Sequence, residues 1–416
     1  MSRDRQTENE GRRPFLGGIG EAFNDRNFCI YSIGSVASWT SFFVQLVAIS
    51  WLTWELTGST LWLALIALLD ILPGVLLAPF TGVFADRYDR HRIMIWVCSL
   101  SLLQAAALAI ASWSGILGIG LLAVLVFIHS ILIAFMVPAM YGVLPRFVAP
   151  AVLPSAIAVS SSYVQIAVFA GPAFAGWLIS QHGVSWAFFV NAFGYFFLTI
   201  AFLALRTPPG FVQTAPEPGS IRQQVVDGIC YLLHDRRILA LLILGVTVEA
   251  MTMGTFHMLP AYSETILGMG VEGMTSLLAI EGLGATATAL WIAHRGAGVM
   301  SFNRVLWAAL AAAAAIICSS NFYLALFFSV MLGISSEIRK TGSMTLVQIN
   351  VAEQQRGRVM STWFMFAQIS GGIGAYVIGR AAVSHGLQGP TLFCAGVCIA
   401  IWFLVFLKRR YWFVGA

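Results

Sequence analysis

Long apolar runs alternate with short polar segments over nearly the whole chain. A helix needs roughly 20 apolar residues to cross the hydrocarbon core of a bilayer. The pattern predicts twelve such helices, at 27–54, 60–81, 93–113, 116–140, 157–180, 186–206, 237–259, 274–293, 303–320, 322–347, 358–379 and 388–407. The run at 322–347 fits least well, because its second half contains Glu337, Arg339 and Lys340. The pattern therefore predicts an all-α integral membrane protein.

The longest polar interruption divides the runs into six and six. It covers 207–236 and contains four prolines, which interrupt regular helix. Apolar residues at helical spacing in its second half predict an amphipathic helix on the membrane surface; a solvated linker is the alternative. Two pseudo-symmetric six-helix bundles are therefore expected, a construction common in transporters. The predicted division is a tail at 1–26, bundles at 27–206 and 237–407 joined by the linker, and a second tail at 408–416.

Composition and charge support membrane insertion. The 416 residues are 59% hydrophobic and only 10% charged, and a soluble protein of this size could not bury that much apolar surface. The net charge of +5 could suggest a nucleic-acid partner, but its distribution argues against one. With the N-terminus in the cytoplasm, every Lys and Arg except Arg380 falls in cytoplasmic segments or at cytoplasmic helix ends. This bias predicts cytoplasmic termini, and no cleavable signal is expected, because the first run is long enough to span.

The densest charge lies between the second and third runs. Residues 82–92 read Gly-Val-Phe-Ala-Asp-Arg-Tyr-Asp-Arg-His-Arg. Gly82 would let a neighbouring helix approach closely. Asp86 is expected near the start of the third helix, where the helix dipole favours a carboxylate. The motif also contains Arg87, Arg90 and Arg92, which can pair with carboxylates or lipid headgroups. The alternative is that these arginines only set the topology.

This motif resembles the loop between helices 2 and 3 of the major facilitator superfamily. The resemblance implies a secondary transporter in which Asp86 locks the cytoplasmic side of the two halves together. Arg356-Gly357-Arg358, before the eleventh run, would be the partner of the lock. That triplet resembles the signature of the branch that includes the bacterial enterobactin exporter. Further matches to this branch are Glu55–Ser59, Leu72-Pro73 and Gly171-Pro172.

The fifth run contains Gly171-Pro172-Ala173-Phe174-Ala175-Gly176. It resembles, with Ala175 as a departure, an element of drug–proton antiporters in the family. Pro172 removes a backbone hydrogen bond and is expected to bend the helix. Gly171 and Gly176 would permit close packing or hinging. Antiport does not follow from this element alone.

Ionisable or polar groups inside membrane helices are unfavourable and are therefore functional candidates. By the resemblance, runs 1, 4, 7 and 10 line a central cavity. They carry Gln45, His129, Glu249 and Glu337, and His257 lies roughly on the helical face of Glu249. Runs 2 and 8 carry Asp70 and Glu281.

A carboxylate in a low-dielectric cavity can hold and release a proton near neutral pH. Asp70, Glu249 and Glu281 are therefore the predicted proton-coupling residues, with Glu249 as the first choice. The alternative for each is a carboxylate paired with a neighbour for packing. The fourth run lacks the arginine that many proton antiporters of the family use, so the coupling route stays open, with His129 as a substitute. Glu337, Arg339 and Lys340 could simply mark the cytoplasmic rim.

No catalytic pattern competes with transport. The chain has no G-x-x-x-x-G-K-[ST] loop, H-E-x-x-H motif or Cys/His cluster, so no enzyme activity, cofactor or metal is predicted. The prediction is proton-coupled efflux of a medium-sized amphipathic molecule, such as a siderophore, drug or metabolite, by a monomer in the bacterial inner membrane. Protons and membrane lipids are the other partners. The alternatives are an importer, symporter or uniporter, and a non-transporting receptor or scaffold.

Overall fold

The computed structural model describes residues 23–148, 153–205, 229–296, 300–315, 320–351 and 353–413. Its long helices are α1 Arg26–Thr57, α2 Thr60–Arg87, α3 Arg90–Trp113, α4 Ile119–Phe147, α5 Leu153–His182, α6 Val184–Ala204, α7 Arg236–His257, α8 Val271–Arg295, α9 Phe302–Ala315, α10 Phe322–Asn350, α11 Glu353–His385 and α12 Gln388–Phe413. A short helix, Leu259–Thr265, stands between α7 and α8. Each predicted run coincides with one long helix, so the all-α prediction is confirmed.

Ten of these helices are long and apolar enough to cross a membrane, counted over the described ranges. The other two are α9, whose described part has 14 residues, and α11, which has 33 residues but is more polar. The expected amphipathic linker helix lies mostly outside the described residues. Its described end, 229–234, is helical, and Leu232 there is fully buried.

Side-chain caps set where several helices begin. The Asp25 carboxylate accepts hydrogen bonds from the amides of Asn27 and Phe28, at 2.7 and 3.1 Å, and starts α1. Asp89 accepts from the amide of His91 at 3.2 Å and starts α3. Such caps satisfy amides that have no partner within the helix. Asp86 therefore does not stand at the start of the third helix, as the sequence suggested: α2 continues to Arg87 and places Asp86 in its last turn.

The helices fall into a first set, α1–α6, and a second set, α7–α12, by their packing. In the first set α1 packs on α5 and α6, α3 on α4 and α6, and α2 on α4. In the second set α7 packs on α11 and α12, α9 on α10 and α12, and α8 on α10. Adding six to both helix numbers converts the first pattern into the second. The main contacts between the sets are α2 with α11 and α8 with α5. These two contacts correspond to each other, because α8 is the counterpart of α2 and α11 is the counterpart of α5.

Glycines on α5 sit at two of these crossings. A Cβ atom on Gly171 would lie 2.5 Å from Cβ of Phe43, on α1. A Cβ atom on Gly176 would overlap the Thr275 side chain, on α8. The predicted close packing at Gly171 and Gly176 is therefore present. The helix itself continues through Pro172.

The two sets are joined at one end of the molecule and separate at the other. We call the end with residues 82–92 the motif face and the opposite end the sealed face. At the sealed face one buried apolar cluster combines both sets, with Leu52 and Leu63 from the first and Met274 and Ile378 from the second. Toward the motif face the buried clusters are separate: one contains only first-set residues, another only residues of the second set and the segment that precedes it.

Candidate functional site

A cavity of about 620 Å³ lies between the two sets, in the half of the molecule nearest the motif face. Small-molecule sites typically have volumes of about 300–1,000 Å³. Its wall is mostly apolar and aromatic, and Glu337 and Lys340 on α10 are the charged residues among those that line it. The aromatic part of the wall consists of Tyr31, Trp39 and Tyr163. We call this space the main cavity.

Hydrogen bonds hold parts of the main-cavity wall in place. The Thr341 hydroxyl donates to Glu337 Oε1 at 2.6 Å, one helical turn away on α10. The Thr286 hydroxyl donates to the backbone carbonyl of Gln165 at 3.1 Å and connects α8 with α5 across the two sets. The Glu337 carboxylate is therefore anchored to its own helix while it faces the cavity.

Of the predicted residues whose side chains the structure describes, only Glu337 lines the main cavity. The aromatic wall was missed. A signal for it exists on α1, because Tyr31, Ser35, Ser38, Trp39 and Phe42 recur at helical spacing. Polar residues interleaved with aromatic ones along one face of an apolar helix indicate a cavity rather than a lipid contact.

Four other predicted residues meet in a second, much smaller space, which we call the polar chamber. Gln45 on α1, Asp70 on α2, His129 on α4 and His257 on α7 line it. Its volume is about 20 Å³, room for about one water molecule. The remaining wall includes Ile49, Leu63 and Ile66, which belong to the apolar cluster of the sealed face. The chamber therefore lies on the sealed side of the main cavity and is built by both sets.

The polar chamber has unsatisfied hydrogen-bonding atoms. Gln45 and His129 are 1% and 3% exposed. His129 Nε2 lies 3.1 Å from the Tyr195 hydroxyl, while His129 Nδ1 and Gln45 Oε1 have no hydrogen-bond partner within the described part of the chain. The backbone carbonyl of Asp70 accepts a hydrogen bond from the Ser130 hydroxyl, which ties α2 to α4. Buried polar atoms without a partner are rare, so these two mark a place for a small polar ligand.

Glu249 on α7 forms a partly buried ion pair with Arg339 on α10, in which the Arg339 side chain is 5% exposed and the Glu249 side chain 21% exposed. Arg339 Nη2 donates to Glu249 Oε2, and Nη1 donates to the backbone carbonyl of Gly245 at 3.3 Å. Arg339 is only 4% exposed, so it is not part of the cytoplasmic rim to which the sequence assigned it. A guanidinium inside a helix bundle needs a carboxylate partner. The opposite charges in runs 7 and 10 were therefore the sequence signal for this pair.

Glu249 and His257 face different neighbours, although the sequence suggested a shared face. Glu249 faces α10, whereas His257 faces the polar chamber. Eight residues rotate an α-helix about 80° beyond two full turns, which is enough to change the neighbouring helix. Glu281, on α8, lines a third space of about 60 Å³ together with Thr252, Thr255 and other residues.

The 82–92 motif is open in this structure. A Cβ atom on Gly82 would meet no atom within 4 Å, so the expected close helix approach is absent in this conformation, in which the sets are separated at the motif face. Arg87 is exposed, and Arg90 Nε donates to the backbone carbonyl of Ala85 at 3.1 Å. Arg92 Nε lies 4.0 Å from Asp89, in an exposed pair of the kind that contributes little to stability. The side chains of Asp86, Arg356 and Arg358 lie outside the described ones.

Among the described residues, no group of three or more His, Cys, Asp or Glu side chains is arranged to hold a metal ion. The described residues form a main cavity with mostly apolar walls, a polar chamber, and a partly buried ion pair.

Comparison with protein families gives a match over nearly the whole chain. The model of a family described as transmembrane secretion effector matches residues 21–412. Macrolide efflux protein A of Streptococcus pyogenes is 29% identical over 229 residues, which cover 54% of this chain and 56% of that protein. The chain thus matches little more than half the length of this relative. The staphyloferrin A transporter of Staphylococcus aureus is 23% identical over 77% of this chain and 80% of its own.

Solved transporter structures share the fold. A bacterial homolog of the human lysosomal transporter Spinster, inward-facing and unoccupied, has a TM-score of 0.69 at 15% identity, over 93% of this chain and 97% of that chain. A POT family transporter in complex with 5-aminolevulinic acid has a TM-score of 0.73 at 11% identity, over 94% and 97% of the two chains.

Proposed function

Because this chain belongs to the transmembrane secretion effector family of the major facilitator superfamily, we propose that it exports a medium-sized amphipathic molecule by alternating access, driven by proton antiport. The twelve helices cross the membrane as two six-helix bundles, 27–206 and 237–407, joined by a linker. Support comes from the helix contacts, which repeat when six is added to each helix number. Two similar units that share a binding space between them are the usual framework of alternating access.

The motif face is cytoplasmic in this proposal, and the membrane is a bacterial inner membrane. Support comes from the distribution of basic residues. The motif arginines and Lys408 lie at the motif face, whereas Arg380, near the end of α11, lies toward the sealed face. The excess of Lys and Arg on one side is the orientation signal of membrane proteins.

The observation that carries the proposal is the main cavity, about 620 Å³ in volume and placed toward the motif face. An exporter must load its substrate from the cytoplasm, so a cavity on that side is the state that waits for substrate. Apolar and aromatic walls bind the hydrophobic part of a molecule, while Glu337 and Lys340 offer polar contacts. Two relatives, a macrolide efflux protein and a staphyloferrin A transporter, suggest macrolides and staphyloferrin-like compounds as the first to test.

Proton coupling is supported by carboxylates inside the helices. Glu249 is held by Arg339, so a proton that neutralised Glu249 would release the guanidinium. Asp70 and Glu281 have no Lys or Arg within ion-pair distance among the described residues. On the motif face, Asp86 together with Arg356 and Arg358 would close the cytoplasmic side in the alternate state. The open space at Gly82 agrees with a lock that is released here.

A screen followed by a flux measurement tests the proposal. Purified protein is screened for thermal stabilisation by macrolides, carboxylate siderophores and other amphipathic compounds. Stabilising compounds are then assayed in proteoliposomes with an imposed pH gradient. We expect uphill transport that collapses with a protonophore and is reduced by Trp39→Ala, in the main cavity. Trp96→Ala, at a position 69% exposed on the outer surface, is the matched control.

Transport that ignores the pH gradient would indicate a uniporter or another coupling ion. Stabilising ligands that are never transported would favour a receptor on the same fold. A scaffold has no need for the partly buried Glu249–Arg339 pair or the polar chamber, so that alternative is the less economical account of these residues.

A further inference from the structure

We propose that the polar chamber of Gln45, Asp70, His129 and His257 is a proton-binding site shared by the two helix sets, and that one bound proton keeps the sealed face closed. The proposal rests on the alternating access of the proposed function and assigns its coupling ion to one place. The sequence named single carboxylates, whereas the chamber depends on four side chains that meet between the two sets.

Both sets are needed to build the chamber. Gln45, Asp70 and His129 come from α1, α2 and α4, whereas His257 comes from α7. The apolar wall beside them belongs to the cluster that joins the sets at the sealed face. Opening that face must therefore move His257 away from Asp70 and admit water to the chamber. A ligand that binds only the assembled chamber stabilises the closed state.

The charge balance of the chamber requires a proton. Among the described residues that line it, Asp70 is the only acid and no Lys or Arg is present. Asp70 is half-buried, and an ionised carboxylate that loses hydration without gaining a cation is unfavourable. One proton makes the chamber neutral, whether it resides on Asp70 or on a histidine beside an ionised Asp70. Without it the chamber carries a negative charge and gains hydration only when the sealed face opens.

The described residues of the neighbouring helices place no Lys or Arg in the chamber wall. The titratable groups nearest Asp70 are His129 on α4 and His257 on α7, with Tyr195 of α6 hydrogen-bonded to His129. On α11, which packs along α2, Gly372 faces Leu68 and Ile71. Between Gly372 and the sealed-face end of α11, the titratable groups are one or more helical turns away from Gly372. They are Tyr376, Arg380 and His385.

The unsatisfied atoms suit a ligand that donates hydrogen bonds. Gln45 Oε1 is an acceptor, and His129 Nδ1 is an acceptor when Nε2 carries the hydrogen toward Tyr195. The hydroxyl of a protonated Asp70, or a water molecule that bridges to it, would satisfy them. The chamber volume of about 20 Å³ admits such a water.

One hydrogen bond and a small space lie between the chamber and the main cavity. His129 contacts Tyr195, and Tyr195 lines the small space together with Trp39, Val137 and Met140. Those last three residues also line the main cavity. In the proposal, a proton taken up while the sealed face is open leaves on this side, toward the motif face. This direction is the one that proton-driven export requires.

Distance measurements across the sealed face test the proposal without a substrate. Spectroscopic labels are placed by noncanonical residues at the exposed positions Ser114, after α3, and Ser384, near the end of α11. Full-length protein in lipid nanodiscs is measured from about pH 5 to about pH 9, a range that brackets histidine titration. In the wild type we expect the ratio of open to closed populations to rise with pH, by up to about tenfold per pH unit for one linked proton.

Asp70→Asn should hold the sealed face closed at every pH, because the neutral amide imitates the protonated acid. Glu272→Gln removes an exposed carboxylate at the sealed-face end of α8 and should keep the wild-type response. A wild-type response retained in Asp70→Asn, a wild type that ignores pH, or a response to Na⁺ at constant pH would each overturn the proposal.

His257→Gln provides a second test should Asp70→Asn fail to fold. We expect its midpoint pH to shift by about one unit or more, and an unchanged midpoint would contradict the shared site. The result is separable from the proposed function. Proton-driven export with a sealed face that does not respond to Asp70 would leave export standing and remove the chamber as its proton site.

Discussion

The two ends of the molecule differ in how the helix sets meet. At the sealed face one apolar cluster runs through both sets, whereas toward the motif face the clusters separate and the main cavity occupies the gap. The same helices take part at both ends, so the difference does not come from helix composition. It lies in how the two sets approach each other. In the proposed alternating access, this arrangement is one of at least two that the sets adopt.

Few polar contacts hold the sealed face shut. Trp54 Nε1 donates to Glu264 Oε2 at 2.8 Å, and the Thr60 hydroxyl donates to the backbone carbonyl of Gly379 at 2.9 Å. Each such bond contributes only about 0.5–1.5 kcal/mol. Apolar contact supplies the remainder and can be exchanged for contact elsewhere when the sets tilt. A seal of this kind opens more readily than one made of buried ion pairs.

The largest expected effect concerns the Glu249–Arg339 ion pair, which joins α7 and α10 within the second set. Arg339→Met would leave Glu249 without its cation inside the second set, and breaking a buried pair in this way typically costs about 3–5 kcal/mol of stability. The double variant Glu249→Gln with Arg339→Met should recover much of the loss. Unfolding midpoints in nanodiscs measure both. Equal instability of the single and double variants would contradict a pairing role.

Overpacking the sealed face should shift the balance toward the opposite state. A Cβ atom on Gly379 would lie 2.6 Å from Ala64 Cβ and from the backbone carbonyl of Thr60, so Gly379→Leu must push α11 away from α2. Overpacking costs about 1–3 kcal/mol, which changes a two-state ratio by about 5- to 150-fold. Distances across the sealed face should lengthen. Gly396→Leu, where a Cβ meets no atom within 4 Å, is the control and should leave them unchanged.

Much of the fold followed from the sequence, because the lengths of the apolar runs are set by the bilayer. Helix ends were less certain. Asp86 was expected at the start of the third helix, but Asp89 supplies the cap and α2 extends to Arg87. Both residues are aspartates three positions apart, and only the backbone path distinguishes them.

The site was predicted as separate residues rather than as groups. Gln45, Asp70, His129 and His257 were each identified, but their convergence depends on helix rotation and on which helices are neighbours, which no single run contains. Arg339 was placed at a rim because of its charged sequence neighbours, although its partner lies on α7. Of the main-cavity aromatics, Trp39 lies on the α1 face whose polar spacing was an available signal, whereas packing was needed to place Tyr163 in the wall.

At the motif face, Asp86→Asn tests the lock proposed for the alternate state. When the motif face closes, the Asp86 carboxylate would interact favourably with a helix dipole and with Arg356 and Arg358. Its loss should shift the balance by roughly 1–3 kcal/mol toward the state seen here, or about 5- to 150-fold. Paired distance probes on the motif-face ends of the two sets report the shift. Unchanged distance distributions in Asp86→Asn would count against the lock.

The smallest expected effect lies in a single hydrogen bond at the sealed face. Trp54→Phe keeps the ring contact with the apolar cluster but removes the indole donor to Glu264, whose carboxylate is exposed and can be hydrated instead. We expect a loss of about 1 kcal/mol from the closed state, a several-fold change in the population ratio. Glu264→Gln keeps an acceptor oxygen and should change the ratio less. If Trp54→Phe and wild type give the same sealed-face distances while Gly379→Leu does not, apolar packing alone closes this end. The contrast between the two faces then rests on shape rather than on polar contacts.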